Sequence, residues 1–102
     1  MVWQRRSAAA LSEMLNEAAK LGLPMATWQL GIAGTLMGRC IDGDMLARRT
    51  AFLRWTDFLG IVGWSATEIH GSTRLYGVTE GFRGCQVSMS ADLVGIGPEG
   101  LR

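Results

Sequence analysis

The sequence predicts an α+β domain in which two helices pack on one face of a five-stranded antiparallel sheet. Two observations support this prediction. Two segments have apolar residues at helical spacing, and five shorter segments alternate apolar and polar residues as strands do. In chain order these segments read α-β-β-α-β-β-β. Because amphipathic helices and a half-buried sheet cover each other's apolar sides, we expect a two-layer sandwich.

The first helix is predicted over residues 7–21, with Ser7 as its N-cap. Gly22 and Pro24 then end it, because glycine adopts the left-handed closing conformation and proline cannot continue a helix. One face of this helix is predicted to be apolar. Its residues are Leu11, Met14, Leu15, Ala18 and Leu21.

The second helix is predicted over residues 44–59. Asp44 is placed to cap its N-terminus, and Gly60 follows its last turn. Phe52 and Trp55 lie on its apolar side. This helix should therefore pack on the same core as the first one.

Strands are predicted at residues 25–32, 35–41, 62–70, 73–79 and 85–93, with glycine-bearing turns between the paired strands. We expect one hairpin turn at Gly71-Ser72 and a loop over residues 80–84. The last strand alternates most regularly, from Cys85 to Leu93, so one of its faces should be buried and the other wet. Residues 1–93 are thus predicted to form one domain, and residues 94–102 a flexible tail that contains glycine and proline.

The composition favours a globular protein that hides part of its surface. Apolar residues make up 48% of the 102 residues, charged residues only 19%, and the formal net charge is +1. Disordered chains have fewer apolar residues and more net charge. Two cysteines without a secretory signal indicate a reducing, cytoplasmic location. The uncharged run at residues 21–38 contains glycines, proline and polar residues, so we predict no membrane span.

The leading functional hypothesis is a small non-enzymatic interaction or accessory module that associates with itself or with another protein. The sheet face that points away from the helices should mix polar and apolar residues, which is typical of a contact surface. The predicted interaction residues on or beside this face are Gln29, Met37, Arg39, Ile41, Ile69, Arg74, Tyr76 and Val78.

Two alternatives remain open. The first is nucleic-acid binding, either through the Arg48, Arg49 and Arg54 face of the second helix or through Arg39, Arg74 and Tyr76 on the sheet. The second is a small ligand-binding protein or enzyme whose site would use His70, Glu68 and one of the two cysteines, Cys40 or Cys85.

No catalytic, cofactor-binding or metal-binding residues are predicted from the sequence. Both cysteines fall on the apolar phase of their strands, where a thiol usually serves as packing. A zinc site needs about four closely spaced ligands. The glycines lack the spacing of phosphate-binding loops.

Several short sequence segments resemble those of a group of small actinobacterial proteins of unassigned activity, found in phage and mobile-element neighbourhoods. The resemblance implies a cytoplasmic accessory role and brings no activity, cofactor or catalytic residue with it. The segments on which the resemblance rests are Gly22-Leu23-Pro24 with Trp28; Arg48-Arg49 with Phe52, Trp55, Leu59 and Gly60; and Gly71, Thr73, Arg74 and Leu75.

Overall fold

Within the described residues, two helices and five strands follow one another in the predicted order, which confirms the α+β fold class. The structure is a computed structural model that describes the backbone of residues 2–31 and 34–93, and the side chains of residues 7–31, 34–68 and 70–93. The predicted tail at residues 94–102 lies outside the described residues. The elements are α1 (Val2–Lys20), β1 (Thr27–Leu30), β2 (Thr35–Cys40), α2 (Met45–Leu59), β3 (Ser65–Ile69), β4 (Ser72–Phe82) and β5 (Cys85–Leu93).

The strands lie in the order β1-β2-β5-β4-β3. Neighbours are antiparallel except for β2 and β5, which run parallel, so the sheet is mixed and not wholly antiparallel as expected. The physical reason is the connection through α2. A helix can return the chain across the sheet to start a parallel strand, and the β3-β4-β5 meander then brings β5 back beside β2.

Helix α1 begins earlier than predicted. It starts at Val2, so Ser7 is not its N-cap but lies inside the helix, where its hydroxyl is buried and has no hydrogen-bond partner among the described residues. Nothing between residues 2 and 7 is a helix breaker, and the helix therefore extends past the polar residue. The predicted end is correct, because Gly22 adopts a φ of 70° and Leu23 N–H donates to the Ala18 carbonyl.

The two hairpin turns of the meander also differ from the prediction. His70-Gly71 and Arg83-Gly84 form them, each with positive φ at both residues, as tight two-residue hairpins require. Strand β4 consequently includes most of the loop predicted at residues 80–84. A register shift between Thr79 and Phe82 accommodates the extra residue.

Both helices pack on one face of the sheet, as predicted, and we call this side the inner face. Met14 of α1, Phe52 and Trp55 of α2, and Val87 and Met89 of β5 are at most 2% exposed there. Within the part of the chain that the structure describes, no helix is long and apolar enough to cross a membrane.

Candidate functional site

The side of the sheet opposite the helices carries a shallow groove, and we call this side the outer face. Strand alternation places Ser88 and Ser90 of the central strand β5 on it, because their neighbours Val87, Met89 and Ala91 are buried on the inner face. Among the described side chains, neither helix packs a buried residue on the outer face.

Side-chain size explains why this face is concave. Ser88 and Ser90 are small and form the floor, while bulkier residues of the two flanking strands form the walls. The register places Met37 of β2 level with Ser88, and Tyr76 of β4 level with Ser90. The resulting groove has a volume of about 390 Å³, and a second hollow of about 130 Å³ continues it towards Thr35 and Gln86.

Three charged side chains meet at one end of the groove. Asp92 of β5 accepts hydrogen bonds from Arg74 Nε at 2.7 Å and from Arg39 Nη2 at 3.3 Å. The hydrogen bond from Arg74 lowers the pKa of Asp92, although partial burial opposes this, and the same bond raises the pKa of Arg74. Two guanidinium groups and one carboxylate leave this end of the groove with a net positive charge.

The structure brings most of the predicted interaction residues together. Gln29, Met37, Arg39, Arg74 and Tyr76 all line the larger groove. The remaining three are placed as follows. Val78 lies on the outer face level with Ser88, Ile41 follows the end of β2 and is 45% exposed, and the side chain of Ile69 lies outside the described residues.

Asp92 belongs to this site, but sequence reasoning did not select it. Its place on the wet face of β5 could be read from the alternation, but its partner Arg39 is 53 residues away in sequence. Only the pairing of β2 with β5 brings the two side chains together. The groove floor was missed for the same reason, since a floor exists only when the flanking strands are known.

The arginines of α2, which the sequence suggested as a nucleic-acid-binding face, mostly bind backbone carbonyls of the protein itself. Arg48 donates to the backbone carbonyls of Gly43, at 3.1 Å, and Asp92, at 3.0 Å. Arg54 donates to the carbonyl of Leu21 at 3.4 Å. Two of the three arginines thus tie α2 to neighbouring elements, while Arg49 is exposed on the helix surface.

His70 and the two cysteines are not brought together. Cys40 pairs with Ala91 on β2 and β5, whereas His70 lies in the turn beyond β3, three strands away. At about 4.8 Å per strand, that is roughly 14 Å across the sheet alone. Cys40 and Cys85 are free and buried, and burial raises the pKa of the Cys40 thiol to about 12. Within the described residues, no three His, Cys, Asp or Glu side chains are grouped to hold a metal ion.

Comparison of the chain with protein-family models, with curated proteins and with solved structures found no match in any of the three.

Proposed function

We propose that this protein is a small interaction module that associates with itself through the outer face of its sheet. The observation that carries the proposal is a sheet face that neither helix covers and that holds Met37, Tyr76 and Val78, each exposed by 36% to 45%. Tyr, Met and Arg are enriched at the centres of protein interfaces. Here all three residue types surround one groove, which makes a second protein surface the occupant that this chemistry suits best.

The exposed apolar side chains of this face are also grouped. Met37 and Val78 flank Ser88 in one row across the sheet, and Tyr76 lies in the next row. Single exposed apolar residues are ordinary, but grouped ones on an otherwise polar surface typically mark interaction sites. The rim of the group is polar, with Gln29, Thr27 and the charged end around Asp92.

Sedimentation equilibrium from low to high micromolar protein tests this proposal. We expect a reversible dimer for the wild-type chain, and Met37→Glu should shift it strongly towards monomer because a charge would be buried in the interface. Leu46→Glu is the matched control, since Leu46 is 72% exposed on α2, away from the outer face. A wild-type chain that stays monomeric at high micromolar concentration would contradict self-association.

The proposal includes an accessory, non-enzymatic role in the cytoplasm. Support comes from the two cysteines, which are both free, as is usual in a reducing compartment. Expression followed by fractionation of cells would test the location. Recovery of the chain from a secreted fraction with modified or paired cysteines would contradict it.

A second candidate function is binding of single-stranded nucleic acid. The observation in its favour is that Arg39, Arg74 and Tyr76 line one groove, since bases stack on aromatic rings and phosphates bind arginine. Asp92 weakens this candidate because it neutralises part of the positive charge.

A mobility-shift assay with single-stranded DNA and RNA at low and high salt separates the two candidates. Binding that Tyr76→Ala and Arg39→Ala weaken, while Arg49→Ala does not, would favour nucleic acid. Failure to bind at low salt would end this candidate, because the electrostatic contribution is largest there.

A further inference from the structure

The outer face has opposite charges at its two ends. Arg74 lies at one end of β4 together with Arg39 and Asp92, whose combined charge is positive. Glu80 lies six residues further along β4 and is exposed. The register shift between Thr79 and Phe82 falls at Gly81, whose φ is 88° as in a glycine bulge, so alternation from Val78 continues to Glu80 and places it on the same side. At about 3.4 Å per residue, the two ends are roughly 20 Å apart.

We propose that the partner on this face is a second copy of the chain, related by a two-fold axis that crosses the strands over Gly77 and Met89. This inference rests on the proposed function and specifies its geometry. Gly77 and Met89 are paired in the register, so they mark one line across the sheet. Such an axis reverses the strand direction, and residues equally far from that line on either side then face each other.

The pairs that this axis creates are complementary. Arg74 and Glu80 are each three residues from Gly77, so Arg74 of one copy meets Glu80 of the other, and the contact occurs twice. Tyr76 and Val78 are each one residue from Gly77 and form apolar contacts in the same way. An isologous interface requires this kind of self-complementarity. Packed sheets cross at about 30°, which offsets facing residues by several Å, within the reach of an arginine side chain.

The other face-to-face arrangement is less favourable. A two-fold axis along β5 would keep each residue at the same position along the strands in both copies. Asp92 of one copy would then face Asp92 of the other, and Arg74 would lie far from Glu80. Like charges that face each other across an interface are strongly unfavourable. The charge distribution along the strands therefore selects the axis that crosses them.

The size of the face is sufficient for a stable dimer. Five strands at about 4.8 Å spacing give a width of roughly 20 Å, and β5 alone is about 30 Å long. That projected area of roughly 600 Å², increased by side-chain relief, lies within the roughly 600–1,000 Å² that each partner contributes to a standard interface.

The test is a charge reversal followed by mixing, read by sedimentation equilibrium at low salt. Glu80→Arg and Arg74→Glu should each weaken the dimer about tenfold or more, because each homodimer then contains two repulsive contacts. An equimolar mixture of the two variants should form a heterodimer of nearly wild-type affinity, because both contacts become attractive again. Asp57→Arg and Arg49→Glu, on the exposed surface of α2, are the matched controls and should dimerise as the wild type does.

A second measurement uses the Glu80→Arg chain alone, in case Arg74→Glu disturbs folding by placing two carboxylates together. Added salt should reduce the difference between Glu80→Arg and the wild type, because repulsion between exposed charges is screened. A dimer that Glu80→Arg leaves unchanged, or a mixture that stays monomeric although both chains are folded, would overturn this arrangement and leave self-association intact. A monomeric wild type would overturn both.

Discussion

Gly38 in the middle of β2 is a glycine because the space above its Cα is already filled. A Cβ built there would lie 2.7 Å from Met89 Sδ and 2.7 Å from Trp28 Cη2. The ring of Trp28 therefore lies directly over the β2 backbone. The same ring contacts Trp55 of α2 edge-on, with ring centroids 5.4 Å apart. The glycine therefore allows β1, β2 and α2 to approach one another closely.

Replacement of Gly38 by alanine should destabilise the protein by about 1–3 kcal/mol, the usual penalty for overpacking a filled core. Urea denaturation measures this loss. Gly63→Ala is the matched control, because a Cβ at Gly63 meets nothing within 4 Å, and its free energy of unfolding should change little. Equal effects of the two substitutions would contradict the packing described at Gly38.

Asp92 is the second residue whose environment matters, because it joins two arginines from different strands. Its pKa is lowered in the folded state, chiefly by the hydrogen bond from Arg74. A lowered folded-state pKa means that the ionised carboxylate stabilises the fold above its unfolded-state pKa of about 3.9. That contribution is lost as the pH falls through the folded-state value.

Asp92→Asn should therefore be less stable than the wild type at pH about 7, and the difference should disappear once the pH is below the lowered folded-state pKa of Asp92. Solvent screening should keep the loss below about 1 kcal/mol, as for most exposed ion pairs. Thermal unfolding at neutral and acidic pH measures it. A difference between the two chains that persists or grows at acidic pH would contradict the ion-pair explanation.

At the scale of elements, α2 is the best-defined helix because both of its ends are closed by the sequence. Asp44 Oδ1 accepts a hydrogen bond from Ala47 N–H at 2.9 Å, and Gly60 adopts a left-handed φ of 77° at the other end. Its arginine Arg48 then joins the helix to the end of β5. Helix α1 is held differently, since Arg83 in the β4–β5 turn forms ion pairs with Glu13 and Glu17.

Loss of the α2 cap should be measurable. We expect Asp44→Ala to reduce the free energy of unfolding by about 1 kcal/mol, because an N–H in the first turn would lose its acceptor. Asp42→Ala, two residues earlier and outside the helix, removes the same charge and should have a smaller effect. If Asp42→Ala were as destabilising as Asp44→Ala, the effect would be one of charge and not of capping.

At the scale of the whole molecule, the strand order determines which parts are enclosed. Strand β5 lies between β2 and β4 and is paired on both sides, whereas β3 at the edge pairs only with β4 in the part of the chain that the structure describes. The described side chains of β3 are exposed, since α2 packs mainly against β5. A dimer through the outer face covers β5 and leaves the free edge of β3 open.

Hydrogen exchange should show this difference. Amides of β5 should exchange slowest, and those of β3 that point away from β4 should exchange fast at every protein concentration. Mass spectrometry at low and high micromolar protein measures both. Protection of β3 that increases with concentration would show that copies join at their sheet edges, and would contradict association through the face.

The sequence by itself determined the two helices, the five strands and their order along the chain, because these depend on periodicity within a few residues. It also determined which residues of each strand share a face, and so selected Arg39, Arg74 and Tyr76. Only the tertiary structure decided that β2 and β5 are parallel neighbours, since strand pairing is a contact between distant segments. The groove floor at Ser88 and Ser90 and the position of Asp92 between two arginines follow from that pairing. Local sequence patterns contain no information about which distant strands pair.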